Sequence, residues 1–280
     1  MADISAAQVK ALRDRTGLPM MECKAALAEA NGDVERAVDI LRRKGAVAAA
    51  NKAGRETAEG RIGCYVDRDR GVGALVEVRC ETAAVANNAD FVSLATDLAR
   101  QVALSDGPID PQGLLGRGLL DQPGRTVRDR INDAVNRLRE NITVARAVRL
   151  GGALASYVHH NGRVGVLVAF DRQHLDDALA ADICMQIAAM NPIAVTRQQV
   201  EPAIVERELQ IAREQAAATG KPEQIIERIA AGKLKKWYAQ HVLTEQQYIR
   251  DDKKTVGQVL QAGGLSVRAF ARMEVGQIDG

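Results

Sequence analysis

Gly60-Arg61-Ile62-Gly63-Cys64-Tyr65-Val66, followed by Val72-Gly73-Ala74-Leu75-Val76, decides the reading of this chain, because it occurs twice. The second copy is Gly152-Ala153-Leu154-Ala155-Ser156-Tyr157-Val158 with Val164-Gly165-Val166-Leu167-Val168, starting 92 residues on (152 against 60). Each copy reads as strand, turn, strand, since both arms are apolar or alternating at strand length. Asp67–Gly71 forms the first turn and His159-His160-Asn161-Gly162 the second, where Asn-Gly is a strong hairpin signal. A helical pattern follows each copy, at Leu94–Ala103 and Leu179–Ala188, but this pair is offset by only 85 (179 against 94). The first copy therefore carries extra residues, and they fall within Arg79–Asn88. A shared frame accounts for the common part. The excess is where function is sought, because loops on a rigid frame carry binding sites. A hairpin plus one helix closes no sizeable core, so the two halves are expected to pack on one another.

Working outward, the 280 residues suggest about two domains. A net charge of +2 gives no global field toward nucleic acid or membrane. No apolar run approaches the roughly 20 residues that span a bilayer. The N-terminus shows no basic segment followed by an apolar one, so no secretory signal is read and a cytoplasmic location is expected. Cys23, Cys64, Cys80 and Cys184 lie far apart and read as buried thiols.

Residues 1–45 read as three short helices. Ser5 and Gln8 form a capping box before Val9 and Leu12, and Thr16-Gly17 stops the first helix. Pro19 opens the second, with Met20, Cys23, Ala26, Leu27 and Ala30 at helical spacing before Asn31-Gly32. Asp33 caps the third, striped by Val34, Ala37, Val38 and Leu41 and expected to close at Gly45. So small a module is marginal alone. Leu18, Met20 and Met21 stand at its corner, either to dock an apolar partner or to fill the bundle core. Residues 46–59 read as a small-residue tether, helical at first and breaking at Gly54, that leaves the module displaceable.

Residues 60–150 form the first half of the core. Its last part, Val127–Leu150, places Ile131, Val135, Leu138, Ile142 and Ala145 on one face and is predicted to be one long amphipathic helix. Residues 151–200 and 237–280 form the second half, which ends in a helix from Thr255 and a strand over Ala269–Val275. Between them, residues 201–236 read as a coiled-coil-like antiparallel helical hairpin. Val205, Leu209, Ala212 and Ala216 stripe its first helix, Thr219–Pro222 breaks it, and Ile225, Ile226, Ile229 and Leu234 stripe its return. The fold class is α+β.

Catalytic motifs are absent from the sequence. There is no phosphate-binding glycine loop, dinucleotide fingerprint or nucleophile elbow. His159 and His160 are adjacent in a turn, and His174 and His241 stand alone, none with metal-ligand spacing. No cofactor or metal is expected. Arginines crowd Arg125–Arg149, but Asp129, Asp133 and Glu140 dilute them and no aromatics interleave. A solvated helix face fits this segment better than an RNA-binding stripe. The pattern points to a protein that works by binding.

The chain resembles the bacterial elongation factor Ts family over essentially its whole length. Val9–Leu27 with Ala30-Asn31-Gly32-Asp33 is similar to that family's ubiquitin-associated-like module. Tyr157–His159, Arg163–Val168, Gly220–Glu227, Gly232–Trp237, Lys254–Leu260 and Met273–Gly276 carry the resemblance through the core. It implies a guanine-nucleotide exchange factor, not an enzyme, that binds elongation factor Tu in its GDP-bound and nucleotide-free forms. No direct nucleic-acid or membrane contact is implied. It also implies that the N-terminal module, through Leu12, Arg13, Thr16, Gly17, Met20 and Met21, grips the partner's nucleotide-binding domain. His159 matches a recurrent family histidine; it contacts the partner or simply caps its own strand. The helical hairpin is left open to self-association, a further partner, or a tolerated insertion. The family's last helical module is expected to be missing beyond the final strand.

One departure concerns activity. The family's loop reads Cys-x-Thr-Asp-Phe-Val-Ala, and its Asp-Phe pair is a wedge that disturbs the magnesium shell of elongation factor Tu and loosens GDP. Here the loop is Cys80-Glu81-Thr82-Ala83-Ala84-Val85-Ala86, inside the excess segment found from the repeat. Thr82 and Val85 keep the loop aligned, but Ala83-Ala84 replaces the wedge. Either exchange is weakened, or other contacts distort the partner enough.

Overall fold

The computed structural model describes residues 4–107, 109–171, 175–218 and 220–277. His174 and Thr219, both singled out above, lie outside them. The fold is α+β, with helices on small sheets. It divides into two compact units. One holds residues up to Tyr65, Ala74–Arg149 and the chain from Glu274; the other holds Val66–Gly73 and Leu150–Met273.

The first unit begins with α1 (Ala6–Thr16), α2 (Met20–Glu29) and α3 (Val34–Ala50). Ser5 and Gln8 cap one another at the start of α1, and Gly17 ends it in the left-handed region at φ 69°. Asp33 caps α3 by accepting from the Arg36 N–H. Val9, Leu12, Leu18, Cys23, Ala26, Leu27 and Leu41 fill the core of the three helices. The expected stop at Gly45 is corrected, because α3 continues to Ala50. Gly45 is buried where α3 meets α7 (Val127–Leu138), and a Cβ there would lie 3.2 Å from Asn136 Nδ2. The absence of a side chain lets the helices approach, so the module expected to be displaceable is packed against the core of its unit.

That core is built on β1 (Glu59–Asp67), β2 (Val72–Cys80) and β3 (Thr143–Gly151), in sheet order β1-β2-β3. A one-turn helix, α4 (Ala83–Ala86), leads from β2 into α5 (Ala89–Leu104), and α6 (Pro111–Leu115) precedes α7. Val76, Val78, Phe91, Leu98, Val102, Val127 and Val135 are all buried in one cluster. At Gly63 a Cβ would fall 2.0 Å from the Ala95 carbonyl oxygen, so β1 lies directly against the α5 backbone.

The long helix expected over Val127–Leu150 is also corrected. α7 stops at Leu138, and Arg139 turns the chain with φ 64° while its N–H donates to the Val135 carbonyl at 2.9 Å. The β-branched Thr143, Val144 and Val148 then follow in β3, which gives the β1–β2 hairpin the third strand it needs for stability.

The second unit carries β4 (Ala153–Val158) and β5 (Val164–Phe170), antiparallel with Tyr157 opposite Val166, joined in one sheet by β8 (Val267–Glu274). α8 (Asp177–Met190) and α11 (Val256–Ala262) contribute to its core through Ile183, Ile187, Val256 and Leu260. β6 (Gln247–Tyr248) and β7 (Asp251–Thr255) form a short antiparallel ribbon before α11. α9 (Pro202–Ala217) and α10 (Glu223–His241) pack as the helical hairpin. α10 runs beyond Lys236, so Trp237 is still helical. Its buried positions include Ala230, facing a first helix that buries Ala212 and Ala216, whereas Ile225, expected in the seam, is exposed. The other expected stripe residues, Val205, Leu209, Ile226, Ile229 and Leu234, are half-buried.

Candidate functional site

The segment in excess in the first copy is an ordered turn, not an open loop. Cys80 ends β2 fully buried, and its thiol donates to the Thr82 carbonyl at 3.3 Å. Burial first, then the nearby Glu140 carboxylate, pushes that thiol up to about 12. Thr82 caps α4 by accepting the Val85 N–H at 3.4 Å. Ala83 and Ala84 are exposed on its first turn, while Val85 packs partly inward and Ala86 is buried. Asn87 Nδ2 closes the turn on the Ala83 carbonyl at 2.9 Å, and Asn88 caps α5 by accepting from the Asp90 N–H.

A pair of residues that sequence reasoning missed anchors this turn. Glu140 accepts the backbone N–H groups of Glu81 and Thr82, both at 3.0 Å, and the Thr82 hydroxyl at 2.6 Å. In return, the Glu81 carboxylate accepts the Asn141 N–H at 2.6 Å. Asn141, only 4% exposed, donates through Nδ2 to the Arg55 carbonyl at 2.8 Å. Glu140 was read as an acid on a helix face. The available signal was the change from helical spacing up to Leu138 to a β-branched run from Ile142.

The sequence does contain an Asp-Phe-Val string, at Asp90-Phe91-Val92, seven places after Ala83. It does not supply the missing wedge. Phe91 is 0% exposed in the core of its unit, and Asp90 faces Arg137 at 3.7 Å. The exposed turn at Ala83-Ala84 therefore has no bulky side chain of its own.

At the N-terminal module, Leu12 is 1% exposed and packs inside the bundle, and Thr16 donates its hydroxyl to the Leu12 carbonyl. Arg13, Gly17, Met20 and Met21 face outward. Met20 is 52% and Met21 72% exposed, so these methionines do not fill the core. Next to them, Glu22 pairs with Arg139.

In the second unit, His159 is half-buried. Its N–H donates to the Val164 carbonyl at 2.9 Å, and its Nδ1 lies 2.8 Å from the Tyr157 hydroxyl. It thus closes the end of its own hairpin. His241 stacks on Trp237.

The arginine-rich segment spends its charge locally. Arg125 pairs with Asp133, Arg130 with Asp121 and Asp97, Arg137 with Asp90, and Arg146 with Glu77. A cleft of about 420 Å³ between α3, α5 and α7 is lined by Arg42, Asp97, Asp121, Arg130 and Asp133, opposite charges that favour no ligand of one sign. Among the described residues, Glu77 is the most deeply buried carboxylate, 1% exposed, and receives Arg79, Arg146 and the Gly276 N–H. Burial pushes its carboxyl up, but those three donors outweigh it and hold it below the usual carboxylate range. Among the described residues, no group of three or more His, Cys, Asp or Glu side chains is placed to hold a metal ion. No helix among them is long and apolar enough to cross a membrane.

Residues 81–277 match the family model described as Elongation factor TS. Over 284 residues, the chain is 44% identical to elongation factor Ts of Aquifex aeolicus (strain VF5), covering 98% of each. It is 40% identical to elongation factor Ts of Nitratidesulfovibrio vulgaris (strain DP4), covering 98% of this chain and 96% of that one. It is 42% identical to elongation factor Ts of Thioalkalivibrio sulfidiphilus (strain HL-EbGR7), covering 98% and 92%. The first two matches leave almost nothing of those relatives uncovered.

Proposed function

The chain belongs to the elongation factor Ts family, and from that premise we propose that it binds elongation factor Tu and promotes release of GDP. The work is done by binding, without covalent chemistry or a cofactor. Exchange factor and nucleotide share one partner, and each weakens the other by the same factor. In this reading the turn at Thr82, Ala83, Ala84 and Val85 is pressed toward the place where magnesium and phosphates are held. The corner of Arg13, Gly17, Met20 and Met21, supported from behind by Leu12 and Thr16, grips the nucleotide-binding domain. Exposed methionines suit such a contact because they are apolar and adaptable. His159 is assigned to the partner contact of the second unit. The protein acts in the cytoplasm, with no direct nucleic-acid contact, and the helical hairpin is available for self-association.

The observation that carries the reading is the anchored turn, a surface element fixed from both sides and exposed at its tip. The same tip favours a second reading. With two exposed alanines in place of a wedge, the chain binds elongation factor Tu but loosens GDP weakly. Fluorescent GDP release from elongation factor Tu, with the chain far below stoichiometric amount, separates the two. An exchange factor accelerates release of the whole pool, turning over many partners. A binder alone affects at most the fraction it occupies.

A further inference from the structure

We infer that Glu140 is the positioning residue that holds the Glu81–Val85 turn ready for the partner; this rests on the exchange reading above. β2 ends at Cys80, so the N–H groups of Glu81 and Thr82 leave the sheet before α4 has begun. Both would need a partner wherever water is excluded, and one oxygen of Glu140 receives both. Its other oxygen accepts a hydrogen bond from the Thr82 hydroxyl, which leaves the hydroxyl oxygen to accept the Val85 N–H. One carboxylate thereby sets the path of the chain into the turn and the rotamer of the residue that caps it. Hydrogen bonds to an ionised acceptor are about twice as strong as neutral ones.

Apolar contact holds the turn less well, because Ala83 and Ala84 are exposed and only Val85 and Ala86 face inward. Glu140 itself is well placed. The left-handed Arg139 before it turns the chain out of α7, and the buried Asn141 after it donates back to Glu81 and to Arg55. Arg139 also meets Glu22, beside the exposed methionines. The three residues 139–141 thus lie between the two surfaces assigned to the partner. A positioned group that moves by about 1 Å can lose on the order of 100-fold in rate, so an anchor remote from the tip matters to exchange.

Glu140→Ala and Glu140→Gln test this in the full chain, both unaltered and carrying Ala83→Asp with Ala84→Phe. GDP release is measured over a range of factor concentrations, with thermal melting and amide exchange alongside. Glu140→Ala is expected to lower the maximal rate about tenfold while the half-saturating concentration moves less than about threefold. Amide exchange should quicken at Glu81, Thr82 and Val85 but not at Leu98 or Ala99 in α5. Glu140→Gln keeps an acceptor for the two N–H groups and is expected to recover the rate to within about threefold of its parent. A maximal rate within about twofold of the parent in Glu140→Ala overturns the proposal and leaves the exchange reading standing. Equal losses in both variants, with protection also lost in α5, make Glu140 a general stability residue and overturn it too. If neither parent accelerates release, the exchange reading fails and takes the proposal with it.

Discussion

Introducing the family's Asp-Phe pair by Ala83→Asp with Ala84→Phe should raise the rate of GDP release from elongation factor Tu at little cost to folding. Both alanines are exposed on the first turn of α4, and neither belongs to a core cluster. The cost to the turn is therefore one of helix propensity, about 0.5 kcal/mol for each residue. Aspartate at a helix N-terminus returns about 0.3 kcal/mol or more. The Thr82 cap and its bonds to Glu140 involve neither side chain. Net destabilisation should thus stay below about 1 kcal/mol. The gain is of another size. A buried aromatic anchor at an interface is typically worth about 2–4 kcal/mol, which is roughly 30- to 1,000-fold at about 1.4 kcal/mol per decade. Stopped-flow release of fluorescent GDP from elongation factor Tu reads the gain, and a melting curve reads the cost. A gain below about threefold in a variant that melts like its parent would refute the wedge argument. It would also direct attention to contacts elsewhere in the complex.

Glu77→Ala removes the buried carboxylate that Arg79 and Arg146 both pair with, and a loss of about 3–5 kcal/mol in denaturant unfolding is expected. Because the folded carboxyl titrates below its ordinary value, the stability it contributes is complete above about pH 4.3 and fades as pH falls through the lower folded value; Glu77→Ala should flatten that acid limb. Gly63→Ala drives a methyl into the Ala95 carbonyl and should cost about 1–3 kcal/mol or more, whereas Gly54→Ala, with nothing within 4 Å, should stay within about 0.5 kcal/mol. Met20→Ala with Met21→Ala should weaken binding of elongation factor Tu by about tenfold without moving the melting temperature, and unchanged affinity in calorimetry would remove the corner from the interface.

Much of this architecture could be read from the residues. The capping signals at Ser5-Gln8, Asp33 and Thr255 placed helix starts because a polar side chain before an apolar stripe has one economical use. The repeat located the turn at Glu81–Val85, since two copies of one frame expose any difference in length. What failed was the step after α7. Ile131, Val135, Leu138, Ile142 and Ala145 continue at helical spacing, and neither glycine nor proline marks the break. An arginine in the left-handed region makes it instead, which few sequence rules anticipate. Missing that break hid Glu140 and Asn141. The orientation of Met20 and Met21 was illegible for a different reason. A short helix at a corner puts apolar residues at similar spacing on the packed and the open side, and only the three-dimensional packing tells them apart. Ile225 failed likewise, because alanines brought α9 and α10 close and left the isoleucine outside.

Underneath lies a thermodynamic statement, that this protein and GDP oppose one another on a shared GTPase. Titration calorimetry against elongation factor Tu, once stripped of nucleotide and once loaded with magnesium and GDP, measures that opposition directly. Affinity at least about fivefold higher for the stripped form is the expected result; equal affinities, or no heat of binding to the stripped form, would contradict it.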